Sequence, residues 1–179
     1  MNPARLAVII VVLVFLGTGI ALLFTYNNLV GLDQRVKGQW AQVETQYQRR
    51  IDLKPRLVST VQGYTQFEKD LLTNITSLRS QWASSATIED RIKYGSALDS
   101  ALGRLLLVYE NYPDLQTITA VQGLMDELAG TENRIAVERM LYNDAVRSYN
   151  TAVNTVPTVL VANTFGFTDK LYYQSTAAA

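Results

Sequence analysis

Apolar residues fall along this chain in two rhythms. From Leu6 to Phe24 they are continuous, nineteen residues without a charge, and the next charge is Asp33. At about 1.5 Å per helical residue the run spans roughly 28 Å, close to the ~30 Å hydrocarbon core of a bilayer. It predicts a transmembrane helix carried by residues such as Leu6, Ile10, Leu13, Phe15, Leu22 and Phe24. A cleaved signal peptide has an apolar region of only about 7–15 residues followed by a small-residue cleavage site. Thr25-Tyr26-Asn27-Asn28-Leu29 offers no such site, so the run is predicted to stay as an anchor.

Beyond the anchor the spacing changes to steps of three and four. Apolar positions 29, 32, 36, 40, 43, 47 and 51 describe an amphipathic helix that continues from the anchor as one rod from about residue 6 to residue 52. Pro55 is expected to stop or kink it, with Asp52 capping the next helix. That second helix follows Leu57, Val61, Tyr64, Leu71, Ile75, Leu78 and Trp82, and ends in the loop Ala83–Thr87. Thr87 with Asp90 imitates a capping box for a third helix through Ile88, Leu98, Leu102 and Leu105. Tyr112-Pro113-Asp114 is a turn, with Asp114 available as a cap, and the fourth periodic segment runs from Leu115 past Gly130 to about Thr155. Short connections favour antiparallel neighbours. The expectation is therefore an all-α protein: an N-terminal single transmembrane helix followed by an up-and-down antiparallel four-helix bundle. The domains are the anchor (1–25), the bundle (26–156) and an apolar C-terminal tail (157–179) that is disordered from Gln174 onward.

Composition narrows the chemistry. Sixteen basic and sixteen acidic residues give a formal charge of zero, with no basic face for nucleic acid. The sequence has neither Cys nor His. That argues against zinc and redox-metal sites, against thiol nucleophiles, and against Ser-His-Asp catalysis, which needs an imidazole base. A di-iron site in a helical bundle also draws on Glu-x-x-His pairs, so neither a metal nor a cofactor is expected. Basic residues flank the anchor two on each side (the terminal amine and Arg5, then Arg35 and Lys37), which leaves the positive-inside rule undecided. The short segment ahead of the run resembles a signal anchor and places the bundle outside the cytoplasm.

A set of short pieces, in fixed order, goes beyond periodicity. They are Tyr26-Asn27-Asn28-Leu29-Val30 after the span, Arg49 to Val58, Thr60 to Tyr64 with Glu68, and Glu110 to Leu115. They continue with Thr131 to Ile135, Arg139 with Tyr142-Asn143, Tyr149-Asn150, Pro157, and Gly166-Phe167. In order and spacing the chain resembles the LemA family over essentially its whole length. The resemblance implies a bacterial membrane-anchored helical bundle, located at the inner membrane, in a family to which a magnetosome-formation protein is similar. It also implies membrane-associated structural or assembly roles rather than a defined reaction.

Among candidate sites, the densest polar set is Arg49, Arg50, Asp52, Glu68, Glu132, Arg139, Asn143 and Asn150. One reading is a proton-handling carboxylate pair between helices; the other, which we favour, is an ion-pair network that fixes helix register. A lone carboxylate in an apolar stripe is costly, so Glu68 is expected to meet Arg49 or Arg50. Tyr142-Asn143 and Tyr149-Asn150, one heptad apart, are expected to bury the tyrosines, and Trp40 and Trp82 to lie in the core or at the bundle end. The uncharged segment from Val156 to Phe167, with Val159, Leu160, Val161, Phe165 and Phe167, is expected to meet lipid, the bundle or a neighbouring subunit. These features predict a non-enzymatic scaffold at the lipid bilayer that forms a homo-oligomer. The alternative is a tethered module that binds a protein, peptide or lipid in a groove lined by Glu68, Arg139 and the Tyr-Asn pairs.

Overall fold

The computed structural model describes the backbone of residues 3–61 and 69–174, and the side chains of all of these except 54–61 and 114–115. Among the described residues the protein is all-helical. In chain order the helices are α1 (Pro3–Val61), α2 (Lys69–Ser84), α3 (Ile88–Glu110), α4 (Pro113–Gln116), α5 (Thr119–Asn154) and α6 (Thr158–Phe165).

α1 is longer than the apolar spacing implies, because it does not stop near Pro55 but runs on to Val61. A proline inside a helix deletes one backbone hydrogen bond and crowds the preceding turn, yet the turns on either side of it can hold. Asp52 consequently caps nothing. It lies inside α1, where its Oδ1 accepts from Gln48 Nε2 at 2.9 Å. Leu57 and Val61, expected on the second helix, belong to α1. Glu68 and Tyr64 lie outside the described residues.

The apolar run shows how it suits lipid. Leu6, Ile10, Leu13, Phe15, Leu22 and Phe24 are all exposed, and none of the most apolar window of α1 is buried inside the protein. The hydroxyl within it and the one just beyond it are internally satisfied: Thr18 Oγ1 donates to the Val14 carbonyl at 2.8 Å and Thr25 Oγ1 to that of Ala21 at 2.9 Å. A hydroxyl returned to its own helix leaves no donor unmet in hydrocarbon.

Local signals set the other helix ends. Thr87 caps α3, accepting from the Asp90 N–H at 3.1 Å, while its own hydroxyl donates to the Asp90 carboxylate at 2.8 Å. α3 ends at Glu110, where the Asn111 N–H returns to Val108 at 2.9 Å. Pro113 then opens the short α4, a position whose missing N–H costs a helix nothing. That extra turn delays α5 to Thr119, four residues later than Leu115. α5 passes Gly130 unbroken.

The chain divides into two compact units. The first comprises residues 1–39 and 143–172. Its buried side chains are Leu29 and Val36 of α1, Ala145, Val146, Tyr149 and Val153 of α5, and Val161 and Ala162 of α6. Tyr26 meets Phe165 and Phe167, with ring centroids 4.8 and 5.8 Å away. After α6 the chain turns at Gly166, whose φ of 75° suits a residue without a Cβ, and the Phe167 N–H closes back on the Ala162 carbonyl at 3.0 Å. Asn150 then clamps the descending tail from both sides of one residue: its Nδ2 donates to the Lys170 carbonyl at 2.9 Å and its Oδ1 accepts the Lys170 N–H at 2.8 Å. The Lys170 ammonium reaches Asp33 at 2.9 Å and lies over the Tyr149 ring. Burial alone would raise the Asp33 pKa, but Lys37 and Lys170 together hold it below its usual value.

The second unit comprises residues 40–142 and 173–179. Here α2 and α3 pack on each other. The core collects Trp40, Val43, Tyr47 and Ile51 from α1, and Ile75 and Trp82 from α2. It is completed by Leu98, Leu102 and Leu105 from α3, Val121, Met125, Leu128, Ile135 and Tyr142 from α5, and Tyr173 from the tail. Both tryptophans are therefore core residues. Trp40 also donates its Nε1 to Glu44 at 2.6 Å, and Glu44 in turn pairs with Arg91.

Candidate functional site

The apolar stripes of the second unit enclose one polar cluster. Tyr47 and Arg50 are one turn apart on α1, Asp99 comes from α3, Arg139 from α5, and Tyr173 from the tail. Arg50 is 1% exposed. Its Nη1 donates to Asp99 Oδ1 at 2.7 Å, and its Nη2 lies 3.9 Å from Glu132 at the exposed rim. The other Asp99 oxygen, Oδ2, accepts from the Tyr47 hydroxyl at 2.7 Å and from Arg139 Nη2. Since Tyr47 donates to Asp99, its oxygen is left to accept from the Tyr173 hydroxyl, 2.6 Å away, and from Arg139. The Arg139 guanidinium also reaches the Tyr173 hydroxyl at 3.1 Å and lies 4.3 Å from the centre of its ring.

Rings and a missing side chain complete the setting. Tyr47 stacks on Trp82 at 5.6 Å, and Tyr173 stacks on Trp40 at 6.5 Å. Both tyrosines lie against α3 at Gly95, where an added Cβ would come 3.0 Å from the Tyr173 hydroxyl and 3.1 Å from Tyr47 Cζ. The helix is bare at that point because two tyrosine ends occupy the space.

Asp99 thus accepts from two guanidinium groups and one phenol. A carboxylate engaged on both oxygens by buried donors is poorly placed to take a substrate proton. The Tyr47 phenol is held well above its ordinary pKa, first by burial and then by the neighbouring Tyr173, against the opposing pull of Arg139. Burial also depresses the Arg50 guanidinium. Among the described residues Arg50 Nε and Nη2 and Arg139 Nε find no hydrogen-bond acceptor. Among the described residues the cluster therefore holds two cations around one closely bound anion, with Glu132 at the edge. No group of three or more acidic side chains among the described residues is placed to hold a metal ion.

This geometry sorts the residues expected from sequence. Arg50 and Arg139 are in the cluster and Glu132 is at its rim. Arg49 is exposed and only 4.0 Å from Glu127, and Asp52 is exposed on α1. Asn150 serves the tail clamp of the other unit, and Asn143 is half-buried. Among the described residues the acid hydrogen-bonded to Arg50 is Asp99, which the apolar pattern passed over, while the expected partner Glu68 lies outside them. Tyr142 and Tyr149 are buried, as the heptad spacing implied, so neither presents its ring on a surface groove. A surface cleft of about 460 Å³ is lined instead by Thr45, Gln48, Arg49, Asp52, Leu53 and Glu127.

The buried phenols make the fold sensitive to alkali. Burial pushes the Tyr142 hydroxyl up to about 12, and Tyr47 is raised further. An acid whose folded pKa exceeds its unfolded value, about 10 for tyrosine, keeps its proton in the native state after the unfolded chain has lost it. Its contribution is fully present below about pH 10 and is lost as pH rises toward the folded value. Thermal melting followed by circular dichroism should therefore be little affected by these groups up to about pH 9 and fall steeply between about 10 and 12. Tyr142→Phe should make that fall shallower. An unchanged slope in the variant would remove Tyr142 from the account.

The profile of the LemA family matches residues 39–179, which contain every member of the cluster. The chain belongs to the LemA family. It is also 25% identical over 203 aligned positions to magnetosome protein MamQ 1 of Paramagnetospirillum magneticum, a match covering 99% of this chain and 75% of that relative. Magnetosome protein MamQ of Magnetospirillum gryphiswaldense is 24% identical with the same coverage. Protein LemA of Metamycoplasma hominis is 25% identical over 137 positions, covering 76% of this chain and 63% of the relative. The LemA match begins after the apolar run, whereas the MamQ matches extend across nearly the whole chain and so include it. The one candidate span and this membership together support a membrane-associated helical protein.

Proposed function

We propose that this LemA-family chain is a non-enzymatic, membrane-anchored structural component whose helical domain associates with further copies of itself. The observation that carries the reading is an uncovered apolar stripe on α5. Val137 and Met140 are 50% and 56% exposed, and Leu141 beside them is exposed too. Positions i, i+3 and i+4 lie on one helix face, and such a stripe is the usual seam between packed helices. The polar cluster supports the same reading from the other side, since its reactive side chains are occupied in holding helices together. In this proposal the helices form an up-and-down antiparallel four-helix bundle, with the span in the bacterial inner membrane and the domain outside the cytoplasm.

Analytical ultracentrifugation of the full chain in detergent, across a wide concentration range, tests this. Oligomers are expected for the native sequence, and Val137→Glu with Met140→Glu should shift the population toward monomer while circular dichroism stays the same. A native chain that remains monomeric at every concentration would end the self-association reading.

A further inference from the structure

We infer that α6 is a membrane-interface helix, whose exposed apolar side chains rest in the bilayer boundary beside the point where α1 emerges. The first observation is where α6 ends. Tyr26 lies two residues beyond Phe24, so at 1.5 Å per residue it stands about 3 Å past the apolar run, at headgroup depth. The rings of Phe165 and Phe167 pack on that same Tyr26. The C-terminal end of α6 is therefore pinned at the level where aromatic side chains gather in membrane proteins.

The second observation is what α6 turns outward. Val161 and Ala162 are buried, but Leu160 is 66% and Phe165 61% exposed, and Val156 just before the helix is exposed as well. Left in water this would be a costly surface for eight residues of helix. From Ser148 to Thr168 the chain carries no charge at all, so no charged group opposes partial burial at the level of the glycerol groups, where the exposed Asn163 and Thr164 still meet water. Charge returns at Asp169 and Lys170, and there the tail is drawn back by the Asn150 clamp. The Gly166 turn separates the two behaviours. Through Tyr26 the end of α6 thus lies two residues from the apolar run of α1, and the occupant of its exposed surface is the bilayer. The inference rests on Leu6–Phe24 crossing the membrane and is independent of whether α5 mediates self-association.

Because the native sequence has no cysteine, Leu160→Cys gives a single attachment point for an environment-sensitive fluorophore. Gln34→Cys is the reference: it is exposed and lies ten residues, about 15 Å along α1, beyond Phe24. The full chain is reconstituted into phosphatidylcholine–phosphatidylglycerol vesicles at high lipid-to-protein ratio. At position 160 we expect blue-shifted emission, iodide quenching several-fold weaker than at position 34, and strong quenching by lipids that carry a nitroxide near the carbonyl. Val156→Cys gives an independent reading should Leu160→Cys disturb the fold. Equal iodide quenching at 160 and 34 would show a water-facing helix and overturn the inference. Protection from iodide without nitroxide-lipid quenching, or protection lost on dilution into excess lipid, would assign the surface to a second copy and overturn it equally.

Discussion

Asp99→Ala is expected to cost about 3–5 kcal/mol of stability, the range for removing one partner of a buried ion pair. The size follows from charge balance rather than from bond counting. Asp99 is the only carboxylate among the described residues in direct hydrogen bonds with Arg50 and Arg139, and Arg50 has almost no contact with water. Removing it leaves two guanidinium groups facing each other, with Glu132 the one other acid among the described residues that pairs with either, at 3.9 Å from Arg50 on the exposed side. The Tyr47 hydroxyl loses its acceptor in the same step. Urea denaturation of the full chain in detergent measures the effect. Arg50→Met in the Asp99→Ala background should recover part of the loss, because an apolar side chain then replaces a stranded charge. A loss below about 1 kcal/mol, the level of an exposed pair, would show that the cluster is far wetter than its burial implies.

Gly95→Val should be the next most damaging change, by about 3 kcal/mol, the upper range for overpacking a filled core. A Cβ at Gly95 meets Tyr173 and Tyr47 at 3.0–3.1 Å, and neither ring has somewhere to go. Tyr47 is backed by Trp82 and tied through its hydroxyl to Asp99, while Tyr173 is backed by Trp40. Even Gly95→Ala should destabilise, although alanine gains about 1 kcal/mol over glycine inside a helix. Gly103 in the same helix is the comparison, since a Cβ there meets nothing within 4 Å. Gly103→Ala should stabilise by up to that ~1 kcal/mol. Opposite signs for the two alanine variants, read from thermal melts, are the expected result; the same sign for both would reduce Gly95 to an ordinary helix glycine.

The helices were readable from spacing because most of them bury a stripe, and a stripe leaves a period. That logic recovers the core positions of α1, α3 and α5 and the Thr87 cap. It misplaces the end of α1, because helical backbone continues past Pro55 to Val61 and the proline does not stop it. It fails differently at Asp99. A charged residue flanked by Leu98 and Ser100 looks like the solvent edge of α3, and nothing in a one-dimensional pattern shows that Arg50 and Arg139 approach it. The small pair Gly95-Ser96 was the available hint, since a gap within an apolar stripe marks where a large partner enters. Tyr173 left no hint of that kind. It sits in a tail without periodicity, and only the tertiary arrangement makes it part of the core.

The place of Tyr173 in chain order bears on biosynthesis. Every other member of the cluster precedes it, and the candidate span precedes them all, so a growing chain presents that span long before its core can close. Until Tyr173 emerges from the ribosome, Arg139 lacks the ring that covers it and Tyr47 lacks its hydroxyl partner. The protein is thus tethered first and sealed last. A chain stalled or cut before that residue would carry the span with its interior unsealed.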